Sequence, residues 1–190
     1  MSVRPSRRFF LGACVLVLAM LASGCKRRAA PAAGTTPLPP VTAVMPAGYV
    51  EARVLDVVDT SSGATVYLVV DAEGLVLPML VGGTEAMTID LRASGKHYVR
   101  PLTHDLLSDT IRELGGRAVK VQVDELRANT FIGSVFLERP DGTLATLDAR
   151  PSDCIALALG AKIPIYLKHS VLIDAGVPLS SLGGGRGPRL

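Results

Sequence analysis

The order of strand-type and helix-type segments constrains this chain more than any other feature. Val50 to Val58 alternates and is rich in β-branched residues. Thr65 to Val70 follows the turn Ser61-Ser62-Gly63, and Leu75 to Val81 follows the turn Glu73-Gly74, a hairpin signal. Gly82-Gly83 then breaks the pattern. A helix is predicted from Glu85 to Ala93, with Thr84 as N-cap and Ala86, Ile89 and Ala93 on one face. A second helix runs from Thr103 as N-cap to about Leu114, with Leu106, Leu107, Ile111 and Leu114 as its buried stripe and Gly115-Gly116 as its stop. Strands follow at Val119–Val123, Thr130–Leu137 and Thr143–Leu147, the last entered through the turn Asp141-Gly142. Ser152 to about Leu159 is an apolar, alanine-rich helix, Pro164 to Leu167 a short strand, and Ser170 to Ala175 a last helical turn or two. These segments do not repeat as regular β-α-β units. The expected class is therefore α+β, a single compact domain with a mixed sheet of about six or seven strands and three to four helices.

The N-terminus reads as an address. Arg4, Arg7 and Arg8 precede an apolar run from Phe9 to Ala22, which is 14 residues long and too short for a comfortable membrane span. Ser6-Arg7-Arg8-Phe9-Phe10-Leu11 has the form of a twin-arginine signal, with the Sec route left open. Leu21-Ala22-Ser23-Gly24-Cys25 has the form of a lipobox, which makes Cys25 the expected lipidation site; an ordinary signal peptide with an incidental cysteine is the alternative. A lipid there, beside Lys26, Arg27 and Arg28, would hold the protein at an anionic membrane surface on the extracytoplasmic side of the cell envelope. The expected division is a signal peptide over residues 1–25, a flexible Ala/Pro/Gly linker over 26–48, a folded domain over 49–178 and a disordered Gly-rich tail over 179–190.

Charge separates along the same lines. The net charge of +3 comes from the leader, because all 17 acids lie from Glu51 onward and only 14 of the 20 basic residues do. The domain is mildly acidic, which argues against tight nucleic-acid binding by bulk charge and leaves local basic patches open. Cys154 is the only thiol after the leader and the lipobox, so no disulfide forms within the domain. Its apolar neighbours predict a buried packing role.

Two Arg-Pro segments carry the candidate chemistry: Arg100 to Leu107 (RPLTHDLL) and Asp148 to Leu159 (DARPSDCIALAL). Each leads into a helix whose first turn holds an acid, Asp105 or Asp153, where free backbone N–H groups and the helix dipole favour negative charge. Capping and ion pairing account for these acids and for Arg100 and Arg150 equally well. His104 beside Asp105, Glu85 at the start of its own helix, and Asp148 at a strand end have the same double reading. The patterns of zinc hydrolases, P-loop proteins and serine hydrolases are absent from the sequence.

Together with LPMLVGGTEAMTI (Leu77 to Ile89), Asn129-Thr130-Phe131, PIYL and VLIDAG, the Arg-Pro segments resemble the bifunctional nuclease domain family across about Val50 to Gly176. The resemblance implies a compact, commonly dimeric α+β domain, and nuclease activity on DNA and RNA. It departs from the family in Cys154, where alanine is usual, in Lys168-His169-Ser170, where a more acidic stretch is usual, and in the export leader on a family that is usually intracellular.

The function expected is phosphodiester hydrolysis with a nucleic-acid substrate, assisted by a divalent metal, Mg²⁺ or Mn²⁺. Catalysis is assigned to His104, Asp105, Asp153 and Glu85, phosphate binding to Arg100 and Arg150, and metal ligation to Asp148 and Asp153. The rival expectation is a non-catalytic binding or assembly module of the envelope, favoured by the acidic domain and its few aromatics. The two differ in whether the Arg-Pro segments meet at one cleft.

Overall fold

The computed structural model describes residues 43–184; the expected signal peptide, Cys25, the expected linker up to residue 42 and residues 185–190 lie outside the described residues. The elements run β1 (Tyr49–Thr60), β2 (Gly63–Val70), β3 (Leu75–Val81), α1 (Gly83–Ala93), α2 (Thr103–Glu113), β4 (Arg117–Arg127), β5 (Thr130–Glu138), β6 (Leu144–Ala149), α3 (Pro151–Ala161), β7 (Ile165–Lys168), α4 (His169–Ala175) and β8 (Val177–Pro178), then a 3₁₀ helix over Leu179–Gly184. This is the expected α+β domain, with one strand more than the sequence pattern shows. β8 is that strand, a two-residue pairing with Leu75 and Val76 that is too short to leave a periodic signal.

All eight strands form one mixed sheet in the order β6-β5-β4-β7-β1-β2-β3-β8. β1 joins its two halves. Tyr49–Ala52 pair with β7, and from Arg53 onward the strand pairs with β2, with a register shift between Val54 and Asp56. Only β4 and β7 are parallel, with Val121 opposite Ile165. That pairing follows from α3, which lies between β6 and β7 in sequence and lets the chain cross back over the sheet. The β4–β5 hairpin turns on Ala128 and Asn129, both at positive φ as a type I′ turn demands.

The core lies between the sheet and α3. Cys154, Ile155, Ala156, Leu157 and Ala158 are all essentially inaccessible, and α3 packs on β4, β5 and β7 with α1 and α2 beside it. A helix buried on every side must be apolar throughout, which the run from Cys154 to Leu159 is. Its close seat on the sheet depends on Gly133 of β5. A Cβ there would stand 2.9 Å from the Gln122 carbonyl oxygen and 3.1 Å from Cys154 Sγ.

Two expectations about the helices fail. The N-caps of α1 and α2 are Gly82 and Leu102 rather than Thr84 and Thr103, and neither cap residue makes a cap bond with its own side chain. The leucine stripe of α2 is not buried: Leu106 is 65 % exposed and Leu114 is 74 % exposed. The face turned inward carries His104, Ser108 and Ile111, the same helical spacing displaced around the axis. His104 is the one residue of α2 that is fully buried. The apolar stripe and the contact face are different faces because α2 docks on α3 through a polar anchor.

Candidate functional site

Helices α1, α2 and α3 start alike. Each has an extended N-cap residue (Gly82, Leu102, Arg150) and an acid at the third helical position (Glu85, Asp105, Asp153). The acids are used differently. Asp105 reaches back to its own helix start, where Oδ2 accepts the Leu102 N–H at 2.8 Å. Glu85 folds back over Gly82, where a Cβ would come within 2.7 Å of its Oε2. Asp153 instead turns to side chains.

The Asp153 side chain joins the two Arg-Pro segments. His104 Nε2 lies 3.0 Å from Asp153 Oδ1. Arg150 donates to the same carboxylate twice, from Nε to Oδ2 at 2.8 Å and from Nη2 to Oδ1 at 3.0 Å. Arg150 Nη2 also donates to Glu85 Oε1 at 2.8 Å. The result is a chain, His104–Asp153–Arg150–Glu85, drawn from three helices. It stands in a cleft of about 420 Å³ whose apolar wall includes Leu107, Val135, Leu147 and Leu157.

Electrostatics fix the states of these groups. Burial works most strongly against the charge on Asp153, but the hydrogen bonds from Arg150 and His104 together hold its carboxyl below the usual range. Glu85 is held low by its own backbone N–H and then by Arg150. Arg150 is pushed still higher than an ordinary guanidinium by Asp153 and Glu85. An ionised Asp153 only accepts, so the hydrogen between it and His104 belongs to Nε2. His104 Nδ1 is buried with no hydrogen-bond partner, and the ring is only 10 % exposed. The imidazole borders the cleft but is mostly enclosed, and its one hydrogen bond among the described residues is to Asp153. Arg150 faces the other way: its side chain is 65 % exposed, and its Nη1 hydrogens are uncommitted among the described residues.

The structure thus brings together Glu85, His104, Arg150 and Asp153. It does not bring Asp105 or Arg100 to the cleft. Asp105 Oδ1 accepts from Arg92 Nη2 at 2.6 Å, on the far side of the helix start. Arg100 is exposed and has no ion-pair partner among the described residues. Asp148 borders the cleft through β6, where it stands opposite Ser134 of β5, and its neighbours Leu147 and Ala149 border the cleft as well. Cys154 adjoins the site but is buried, with its thiol pushed up to about 12 chiefly by burial. It is a packing residue, as its neighbours in sequence suggest.

Of the three carboxylates that border the cleft, Glu85 and Asp153 are already bound to Arg150, and the described residues hold no group of three His, Cys, Asp or Glu side chains placed to share an ion. A divalent cation fits here only by displacing the guanidinium. The residues present do not fit a preformed metal centre.

One positioning residue escaped the sequence reading. Arg92 of α1 lies over Gly160 of α3, donates from Nη1 to the Ala156 carbonyl oxygen, and pairs with Asp105 of α2. It ties the three site helices together behind the cleft. The available signal was Gly160 itself, a glycine in an otherwise strong helix, which marks a close approach.

The fold and site define a single α+β domain with a polar cleft assembled on three helix starts. The chain belongs to the bifunctional nuclease domain family, whose model matches residues 66–180. That span contains every residue of the His104–Asp153–Arg150–Glu85 chain. An uncharacterized protein of Mycobacterium tuberculosis, Rv1829, is 36 % identical over 129 residues, covering 67 % of this chain and 76 % of the relative. Bifunctional nuclease 2 of Oryza sativa subsp. japonica is 25 % identical over 116 residues, covering 60 % of this chain and 36 % of the relative. Bifunctional nuclease 1 of Arabidopsis thaliana is 23 % identical over 115 residues, with 60 % and 35 % coverage. The chain spans about a third of the length of these plant relatives.

Proposed function

We propose that this protein is a nuclease that hydrolyses phosphodiester bonds of DNA or RNA, and that the His104–Asp153–Arg150–Glu85 chain is its site. The observation that carries the reading is convergence: two segments distant in sequence meet at one cleft through a His–Asp hydrogen bond of 3.0 Å. The names of the plant relatives supply the activity class. Arg150 holds the phosphate through its free Nη1 hydrogens, in the geometry that suits guanidinium and phosphate oxygens. Asp153 orients a water and accepts its proton as the new P–O bond forms, and the departing oxygen takes a proton from solvent at the open mouth. His104 acts through Asp153, holding the carboxylate in place from behind. Glu85 fixes the other side of Arg150. No step is assigned to a metal ion, because the donors are committed to the guanidinium.

The test is turnover of a single-stranded oligonucleotide by wild type, Asp153→Ala and His104→Ala, each with Mg²⁺ or Mn²⁺ and with EDTA. The reading expects cleavage by wild type that survives EDTA, near-complete loss in Asp153→Ala, and a reduced rate in His104→Ala. Equal cleavage by all three marks a contaminant and removes the proposal.

We also propose export and anchoring through lipid on Cys25, with the domain on the extracytoplasmic side of the envelope. The support is the leader sequence, with its basic start, apolar run and lipobox-like Leu21 to Cys25. Cys25→Ser should release the protein from membranes, and retention would refute the anchor. The family resemblance implies a homodimer. Exposed Leu106, outside the cleft lining, marks an apolar face of α2 available to a second copy. Leu106→Asp should yield a monomer by light scattering if that face pairs.

A further inference from the structure

The loop between α1 and α2 carries a basic and aromatic surface that the cleft does not use. From Lys96 to Pro101 every residue is exposed: Lys96, His97, Tyr98, Val99, Arg100, Pro101. Tyr98 is 57 % exposed and Val99 is 93 % exposed. The loop contains no acid. Lys96 and Arg100 have no ion-pair partner among the described residues. The acids that border the loop, Asp105 and Asp109, are each neutralised at 2.6 Å, by Arg92 and by Arg112. A groove of about 220 Å³ runs beneath the loop, with Lys96, His97, Tyr98 and Val99 on one side and Asp105 and Asp109 on the other.

The three other tyrosines are built into the sheet. Tyr49 donates to Asp124 Oδ1, Tyr166 donates to the Ala43 carbonyl oxygen, and Tyr67 lies in β2 opposite Pro78. Tyr98 is therefore the ring offered to solvent, and it lies between two free cations two residues away on either side. Alternating cations and an aromatic face form the arrangement that holds single-stranded nucleic acid: the ring stacks on a base and the cations take the flanking phosphates. Duplex DNA hides its base faces and offers no stacking partner. The loop also leads straight to the site. Leu102, Thr103 and His104 follow Pro101 and line the cleft. His104 is four positions along the chain from Arg100, a reach of at most about 14 Å.

We propose that Lys96–Arg100 is a binding segment for single-stranded nucleic acid, with Tyr98 as the base-stacking platform and Lys96 and Arg100 as phosphate contacts, feeding the strand to the cleft. This deepens the nuclease reading and rests on it for the fate of the strand, but not for binding. It also resolves a tension in the charges. The domain as a whole is acidic, so a strand is captured by a local basic segment rather than by the general surface.

The experiment measures equilibrium binding of a fluorescein-labelled, phosphorothioate-linked single-stranded oligodeoxynucleotide by anisotropy, with its duplex as a second probe. Wild type, Tyr98→Ala, Tyr98→Phe and the double variant Lys96→Ala/Arg100→Ala are compared, and all these positions are exposed. Tyr98→Ala should weaken single-strand binding by about 5- to 150-fold, and Tyr98→Phe should retain it. The double variant should reduce the salt slope, log K against log[salt], by about 1.4. Duplex binding should be weaker than single-strand binding and insensitive to Tyr98→Ala. Unchanged single-strand affinity in Tyr98→Ala, an unchanged salt slope in the double variant, or duplex binding as tight as single-strand binding each overturns the proposal. Cleavage of an ordinary oligonucleotide separates the two claims. Binding without cleavage by wild type refutes the nuclease reading alone, and cleavage with loop variants that bind normally refutes the loop alone.

Discussion

Asp105→Ala is the perturbation that separates structure from chemistry at these helix starts. In sequence, Asp105 and Asp153 look equivalent; in the fold, Asp105 braces the helices. Its carboxylate takes the Leu102 N–H at 2.8 Å and the Arg92 guanidinium at 2.6 Å. Removing the first bond costs about 1 kcal/mol, the ordinary loss for a helix-start cap. The second is a charge-assisted contact, worth about 1.5–3 kcal/mol when fully sheltered. Arg92 is 11 % exposed but Asp105 is 40 % exposed, so solvent screens the pair and the lower end applies. Arg92 also keeps its bond to Ala156, which offsets part of the loss. The expected destabilisation is about 2 kcal/mol at neutral pH.

Urea unfolding reads this as a lower midpoint with an unchanged slope, a shift of about 1 M for a slope near 2 kcal/mol/M. The pH dependence provides a second check. Asp105 is held below its ordinary value, first by Arg92 and then by the Leu102 N–H. A carboxylate with a depressed folded pKa contributes its stability above the unfolded value of roughly 4, and loses it as pH falls through the folded value. The gap between wild type and Asp105→Ala should therefore be full at neutral pH and shrink in acid below about pH 4. A gap under about 0.5 kcal/mol, within the range of ordinary surface substitutions, would refute the bracing role. A gap that stays constant into acid would show that the carboxylate's charge is not its source.

Other outcomes follow from the packing. Gly133→Ala drives a Cβ to 2.9 Å from the Gln122 carbonyl oxygen beneath α3; overpacking of this kind should lower stability by about 1–3 kcal/mol, read by thermal melting, and an unchanged melting temperature would mean α3 sits farther from the sheet. Cys154 is fully buried with its thiol pushed up to about 12, so a thiol reagent should label it only on unfolding; prompt labelling of the native protein would contradict its packing role. Lys162 closes α3 at φ 55, so Lys162→Gly should stabilise the protein by about 1 kcal/mol by relieving the left-handed strain, and a lower urea midpoint would argue against that conformation.

Most of the fold was legible because strand and helix periods are written locally. The hairpin at Glu73-Gly74 and the apolar run of α3 appear in the structure where the pattern puts them. β8 was not legible, since two paired residues leave no period. The burial of α2 was misread because apolar spacing reports which face is greasy. The docking face is chosen by His104 reaching Asp153, a contact 49 positions away in sequence. The same limit applies to the site. The sequence showed that Asp105 and Asp153 occupy similar helix positions, and nothing local distinguishes the acid that caps from the acid that faces a cleft. That distinction comes from Arg92, Arg150 and His104, which reach their acids across the packing of three helices, apart from the local Arg150–Asp153 pair.

The central claim is that Asp153, held between His104 and Arg150, is the group that positions and deprotonates the attacking water. Asp153→Asn keeps the size and a hydrogen-bonding side chain but removes the charge. The direct measurement is the single-turnover cleavage rate of a single-stranded oligonucleotide by wild type and Asp153→Asn, with folding of both verified by melting. The account predicts a loss of at least about 100-fold in the variant. Cleavage by folded Asp153→Asn at the wild-type rate would contradict it.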